Sequence, residues 1–180
     1  RRPVVMVPGY AMNTFILSYH PAGVSMVEYL TRDGFEVWTA NLRGQGDSRL
    51  LGPRARYGLR ELALDDLPRV FDYVRRNSHS KADRIDAVGC SLGASFLYAY
   101  LAHFQHEQPL GALVSIGGPL RWNESHPLMK VMFASARVAG SARITGTREI
   151  ARMLLPFVRH APSLLAIYVN AAEIDMQKAG

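Results

Sequence analysis

Cysteine is nearly absent from this chain. Its 180 residues hold one, Cys90, which excludes an intramolecular disulfide and any zinc site built on paired cysteines. Long apolar runs are missing as well, and none approaches the roughly 18–20 residues that a membrane span needs. No signal-peptide pattern is visible, since Arg1-Arg2-Pro3 runs straight into a short apolar stretch. No initiator methionine stands first, so the natural start is expected upstream. Low cysteine content is compatible with a reducing compartment, and a cytoplasmic location is the expectation. Acidic residues are outnumbered, with 15 Asp and Glu against 21 Lys and Arg and a net charge of +6. The arginines are scattered rather than run together and no nucleic-acid motif accompanies them, so they read as solvated surface and nucleic acid is not expected as a partner. Internal repeats and low-complexity segments are lacking too. What remains is a chain with 48% hydrophobic residues, enough to build a core and too many for global disorder.

The apolar residues alternate between strand-like and helix-like patterns. Val4-Val5-Met6-Val7 is a β-rich run closed by Pro8-Gly9 and reads as a buried strand and a turn. Residues 25–32 read as a helix stopped at Asp33-Gly34. Phe35 to Leu42 reads as a second strand, and Arg43 to Gly58, with four glycines and a proline, as a loop. Leu59 to Asn77 carries Leu62, Leu67, Val70, Phe71 and Val74 at helical spacing. Pro68 should kink that helix or mark a junction between two shorter ones. Arg84 to Gly89 reads as a third strand, Leu92 to His106 as an apolar helix, and Leu110 to Ile116 as a fourth strand. This alternation predicts an α/β fold with a doubly wound, mostly parallel sheet. Beyond Pro119 the rhythm changes. From Pro127 to Gly180 the pattern is helical without a clear strand, and Ile150, Met153, Leu154, Phe157 and Val158 share one face. Two regions are therefore expected, a core over 1–119 and a helical cap or lid over 120–180.

One segment carries chemistry. Gly89-Cys90-Ser91-Leu92-Gly93 is a G-x-S-x-G pattern lying where a strand ends and a helix begins, the context of a nucleophile elbow. Such a turn is tight enough to strain the serine backbone, and the flanking glycines leave room where side chains would clash. The serine hydroxyl is lifted above the sheet edge. The next N–H, of Leu92, opens the helix and faces an incoming carbonyl oxygen, aided by the helix dipole. A plain strand–turn–helix junction is the bland alternative.

With this motif the chain resembles the α/β-hydrolase superfamily, and three further segments carry the resemblance. Val4-Val5-Met6-Val7-Pro8-Gly9-Tyr10 is similar to the strand and oxyanion loop of that family. Asn41-Leu42-Arg43-Gly44-Gln45-Gly46-Asp47-Ser48 is similar to its D-x-R-G-x-G-x-S turn. Val114-Ser115-Ile116-Gly117-Gly118-Pro119 resembles the strand that leads into a cap. Within the superfamily the chain looks most like bacterial lipase/esterase-type and polyhydroxyalkanoate synthase-like members. Pro8 stands where the family usually has His and Asn41 where Asp is common; Cys90 stands where many members have His. The resemblance implies an α/β-hydrolase sheet, incomplete here, and Ser91 as nucleophile of an acyl-enzyme. It implies backbone oxyanion donors at Leu92 and Tyr10, since Pro8 has no N–H. Tyr10 is also a candidate to line the substrate pocket, and so is Cys90, whose ordinary alternative is a buried small residue beside the elbow.

No catalytic acid or base is assigned. The family order is Ser, then Asp or Glu, then His, and both partners are expected beyond residue 180. His20 follows the oxyanion loop and is a weak alternative. His103 and His106 sit where helix dipoles favour cations, His79 follows a helix end, and His126 and His160 belong to the cap. Glu124 and Asp175 have no supporting motif, and Asp65 and Asp66 read as solvated charge. The expected function is hydrolysis of a small-molecule carboxylic ester, hydrophobic in its acyl chain, with no cofactor and no metal. A passing contact with a lipid interface through the cap is a further expectation. Acyl transfer, or a non-catalytic protein on the same fold, are the alternatives.

Overall fold

The computed structural model describes residues 1–9, 12–50 and 57–120. The cap expected over 120–180 therefore lies, but for Leu120, outside the described residues, with His126, His160, Glu124 and Asp175. Tyr10 also lies outside them.

Four parallel strands form one sheet: β1 Val4–Val7, β2 Val37–Thr39, β3 Ile85–Cys90 and β4 Leu110–Ile116, in the order β2-β1-β3-β4. Chain order and sheet order differ at β1. The path steps from β1 to β2 on one side and then crosses to β3 on the other. That reversal directs the connecting helices to opposite faces, because parallel crossovers are right-handed. The alternation of side chains along each strand follows suit. Val5, Val7, Ile85 and Ala87 pack on one face against Leu67, Phe71, Leu97 and Tyr100. Val4, Met6, Val88 and Cys90 pack on the other against Leu17, with Val27 and Leu30 beside them. The Phe71 and Tyr100 rings meet edge to face at 5.0 Å, an arrangement that adds to simple burial. Strands buried on both faces explain why the sequence writes them as unbroken apolar runs.

The helices follow local chemistry. A short turn, α1 (Phe15–Ser18), precedes α2 (Met26–Arg32). Ser25 caps α2 by accepting the Glu28 N–H at 3.1 Å, satisfying one donor of the open first turn. Gly34, at φ +82°, ends it. The second strand is shorter than the expected Phe35 to Leu42. Phe35 donates its N–H to Leu30 of α2 at 3.0 Å, so it closes the helix rather than opening the strand. At the other end, Leu42 is drawn into a turn with Gln45.

The expected loop from Arg43 contains a 3₁₀ turn over Gly46–Leu50. The long helix from Leu59 has three parts: α3 (Leu59–Glu61), a wide π turn (Leu62–Asp66) and α4 (Leu67–Asn77). Pro68, in the first turn of α4, lacks the N–H that an unbroken α ladder would use. The wide turn just before it absorbs that missing bond, and this is the junction the proline forecast. Asp66 corrects the reading as solvated charge. It receives Arg43 Nε at 2.9 Å and the Arg43 N–H at 3.0 Å, and its side chain is 13% exposed. Hydrogen bonding to Asp66 raises the Arg43 pKa further above its ordinary value. Asp65 is half exposed, 3.7 Å from the same guanidinium. Finally, α5 (Leu92–Phe104) follows β3 with a single residue between them, Ser91. Among the described residues no helix is long and apolar enough to cross a membrane.

Candidate active site

Ser91 forms the one-residue turn between β3 and α5. Its φ of 50° and ψ of −126° are rarely adopted by a residue with a side chain and cost on the order of 1–3 kcal/mol. Surrounding contacts hold it there. The Ser91 N–H donates to Ile116 O at 2.8 Å, extending the β3–β4 ladder by one bond, and the Ser91 carbonyl accepts the Ala94 N–H at 3.0 Å. The Ser91 side chain makes no cap bond to the helix it opens, and the residue is half-buried. The hydroxyl is thus not spent on the helix, although serine is among the residues that favour such a cap.

The flanking glycines are required by close approach. A Cβ on Gly89 would stand 2.5 Å from Ala94 Cα and 2.6 Å from Ala94 N. A Cβ on Gly93 would stand 2.6 Å from Pro8 O and also strike Val7 O. The first turn of α5 therefore rides directly on the end of β1, where no side chain fits. Leu92 is the first residue of α5, so its N–H has no acceptor within the helix. On the far side the turn is tied to the segment that follows β4, where the Ser95 hydroxyl donates to Pro119 O at 2.8 Å.

Gly9 closes the other wall. A Cβ there would lie 3.0 Å from Ser91 Cβ and 3.2 Å from Cys90 O, so the turn after β1 sits against the turn after β3. These are the adjacent central strands at which the winding reverses. Open α/β sheets bind ligands in the crevice at such a switch point, beyond the carboxyl ends of the strands.

Of the residues singled out from the sequence, Ser91, Leu92 and the Gly9 turn are brought together. Cys90 is buried with Val4, Met6, Leu17 and Val88 on the α2 side of the sheet, and burial pushes its thiol pKa up. His20 is exposed, and its Nδ1 accepts the Ala22 N–H at 3.3 Å within its own loop. His103 lies in the last turn of α5, remote from Ser91, with its ring edge-on to Phe104. His79 is held by its backbone to Glu36 at 3.1 Å. A hollow of about 330 Å³ lined by Phe71, Arg75, Tyr100 and Phe104 also belongs to that far end of α5. Among the described residues no cluster of three or more His, Cys, Asp or Glu is placed to hold a metal ion.

Two side chains of the 41–48 segment received no role from the sequence and stand beside this site. Gln45 Nε2 donates to Gly9 O at 2.8 Å, and Asn41 Oδ1 accepts the Thr14 N–H at 2.9 Å. The R-G-x-G-x-S pattern marked the segment as a turn, but nothing in it indicates which carbonyl a glutamine will reach across space.

A family model described as the alpha/beta hydrolase fold matches residues 2–153 of the chain. A comparison with curated proteins finds no match.

Proposed function

Since the chain belongs to the alpha/beta hydrolase fold family, hydrolase-type chemistry is the premise, and we propose that it is a serine hydrolase of carboxylic esters acting through Ser91. The observation that carries this reading is the backbone of Ser91, strained at φ 50° between a strand and a helix at the switch point, with a side chain not used as a cap. In the proposed reaction Ser91 Oγ attacks the ester carbonyl carbon and its proton passes to a general base. The carbonyl π pair moves onto oxygen, where the N–H groups of Leu92 and Tyr10 receive the charge. Collapse of that intermediate breaks the bond to the alcohol, which leaves with the proton. Water then attacks the acyl-enzyme by the same route in reverse. None of the described histidines is assigned as the base.

A hydrophobic acyl group is the preferred substrate class. Met12 Sδ stands beside Gly9, and Met12, Phe15, Ile16 and Tyr19 all expose apolar surface on the segment that follows β1. Cys90 is not assigned to the pocket, because its thiol faces the core.

In the full-length protein, Ser91→Ala should lower kcat on p-nitrophenyl butyrate by about 10⁴–10⁶ while leaving the melting temperature within a few degrees. Labelling by a fluorophosphonate should disappear with it. Near-wild-type turnover by Ser91→Ala would refute the assignment.

A further inference from the structure

Gln45 is a buried polar side chain with both amide ends committed. Its Oε1 accepts the Leu42 N–H at 2.9 Å, and its Nε2 donates to the Gly9 carbonyl at 2.8 Å. The first bond fixes the amide orientation, because only the oxygen can accept from Leu42. The backbone reinforces the arrangement, with the Gln45 N–H donating to Leu42 O at 3.0 Å. Behind it, Arg43 is clamped to Asp66 by its side chain and its N–H. The glutamine thus reaches out from a rigid turn rather than from a free loop.

The atom it reaches is a particular one. The Gly9 carbonyl and the N–H of the next residue belong to the same planar peptide unit. Holding that oxygen sets the plane of the unit and hence the line along which its N–H points. A carbonyl that accepts a strong hydrogen bond also leaves its own N–H a better donor, since bonds in a chain polarise one another. Met12 N–H reaches the same oxygen only at 3.3 Å, so Gln45 makes the shorter of the two contacts. Asn41, from the same segment, secures the far end of the loop through the Thr14 N–H.

We infer that Gln45 is a positioning residue that orients the Gly9 peptide, and through it the oxyanion donor of the ester hydrolysis proposed above, on which this inference rests. It touches no substrate. Its effect falls on the charged intermediate, where a donor out of line is felt most, and little on the binding of the uncharged ester.

The test uses the full-length protein with p-nitrophenyl butyrate. Gln45→Met keeps the length of the side chain and removes both bonds. It should lower kcat about tenfold or more, below the cost of deleting a donor outright, with KM changed less than about twofold. Affinity for a boronic acid that mimics the tetrahedral intermediate should fall in parallel with kcat. Gln45→Glu supplies a second readout. Its protonated carboxyl restores both bonds, whereas its carboxylate sets an acceptor against the Gly9 oxygen. The ratio of Gln45→Glu to wild-type kcat should therefore rise as pH falls from about 8 to about 5. If Gln45→Met does not fold, that profile decides. A folded Gln45→Met with wild-type kcat, or a flat Gln45→Glu ratio, overturns the inference. If Ser91→Ala is inactive while the Gln45 variants match wild type, only the role of Gln45 fails. If Ser91→Ala is itself active, the hydrolase reading fails first.

Discussion

One added carbon at Gly93 probes the contact that seats α5 on the end of β1. The atoms that a Cβ would strike there, Val7 O and Pro8 O, belong to the backbone of the central strand and its turn, and backbone cannot swing aside as a flexible side chain can. Gly93→Ala should cost about 1–3 kcal/mol through forced displacement. Gly23→Ala is the control, since its nearest neighbour is His20 Nδ1 at an ordinary 3.5 Å, and it should stay within about 0.5 kcal/mol. Urea denaturation of both variants beside wild type measures the difference; equal midpoints would mean that α5 is not seated as described. At this scale the sequence was informative where a residue has only one use. Glycines flanking a serine at a strand–helix boundary announced a close approach, and the structure supplies the atoms approached. Gln45 was opaque because an amide can bond to anything, and its partner is distant in the chain. The pairing of Asp66 is hidden in the sequence for a related reason, as its guanidinium partner lies on the far side of a loop.

The wide turn before α4 and its tie to Arg43 illustrate how elements are joined. Asp66 ends the π turn and accepts from Arg43 through both oxygens, with little of its side chain exposed. Arg32 and Glu28 on α2 form an ion pair of similar length, but both side chains are about half exposed or more. Geometry alone would rank the pairs together; burial separates them. Asp66→Ala should destabilise by about 1.5–3 kcal/mol, the range for hydrogen bonds to charged groups. Glu28→Ala should cost only a few tenths, and less as salt rises. Guanidinium is unsuitable for this comparison because it is itself a salt, so urea titrations at low and high NaCl provide the measurement. A loss at Asp66 that vanished in high salt would contradict its burial. The proline signalled that the helix from Leu59 would be interrupted. It did not signal the form of the interruption, because a missing N–H can be absorbed by a kink, a break or a widened turn, and tertiary packing chooses among them.

Across the whole molecule the two ends of the sheet are built differently. The carboxyl ends of the strands hold the strained serine and the turns around it. At the opposite end Glu36, just before β2, accepts the Ser78 hydroxyl at 2.7 Å, the His79 N–H at 3.1 Å, the Ser80 N–H at 3.2 Å and Trp38 Nε1 at 3.1 Å. Burial opposes ionisation there, but these donors outweigh it and hold the carboxyl below its ordinary value. A carboxyl with a lowered folded-state pKa contributes stability that is present above its unfolded value of about 4.3 and is lost as pH falls toward and through the folded value. Glu36→Gln should therefore melt below wild type at neutral pH, with the gap closing on acidification below about pH 4.3. Thermal unfolding from neutral to acidic pH checks this, and a gap independent of pH would assign the effect to packing. The alternation of strands and helices had already conveyed the sheet and its parallel sense. The order in which the strands lie side by side had to come from the structure, since periodicity shows what each strand buries and not which strand it meets.

That order also has a consequence in time. Of the four described strands β1 is made before the others and lies beside β2, close in sequence, and β3, which is far from it: Val4 faces Val37 on one side and Asp86 on the other. As the chain is synthesised, one edge of β1 acquires its neighbour early. The other edge stays open until the chain has been extended through β3. An unpaired central edge of apolar residues is a template for strands of other molecules. The two walls of the crevice, at Gly9 and Ser91, come into being together and only when that edge is filled, so the interval before β3 arrives is when a nascent chain is most exposed to misassociation.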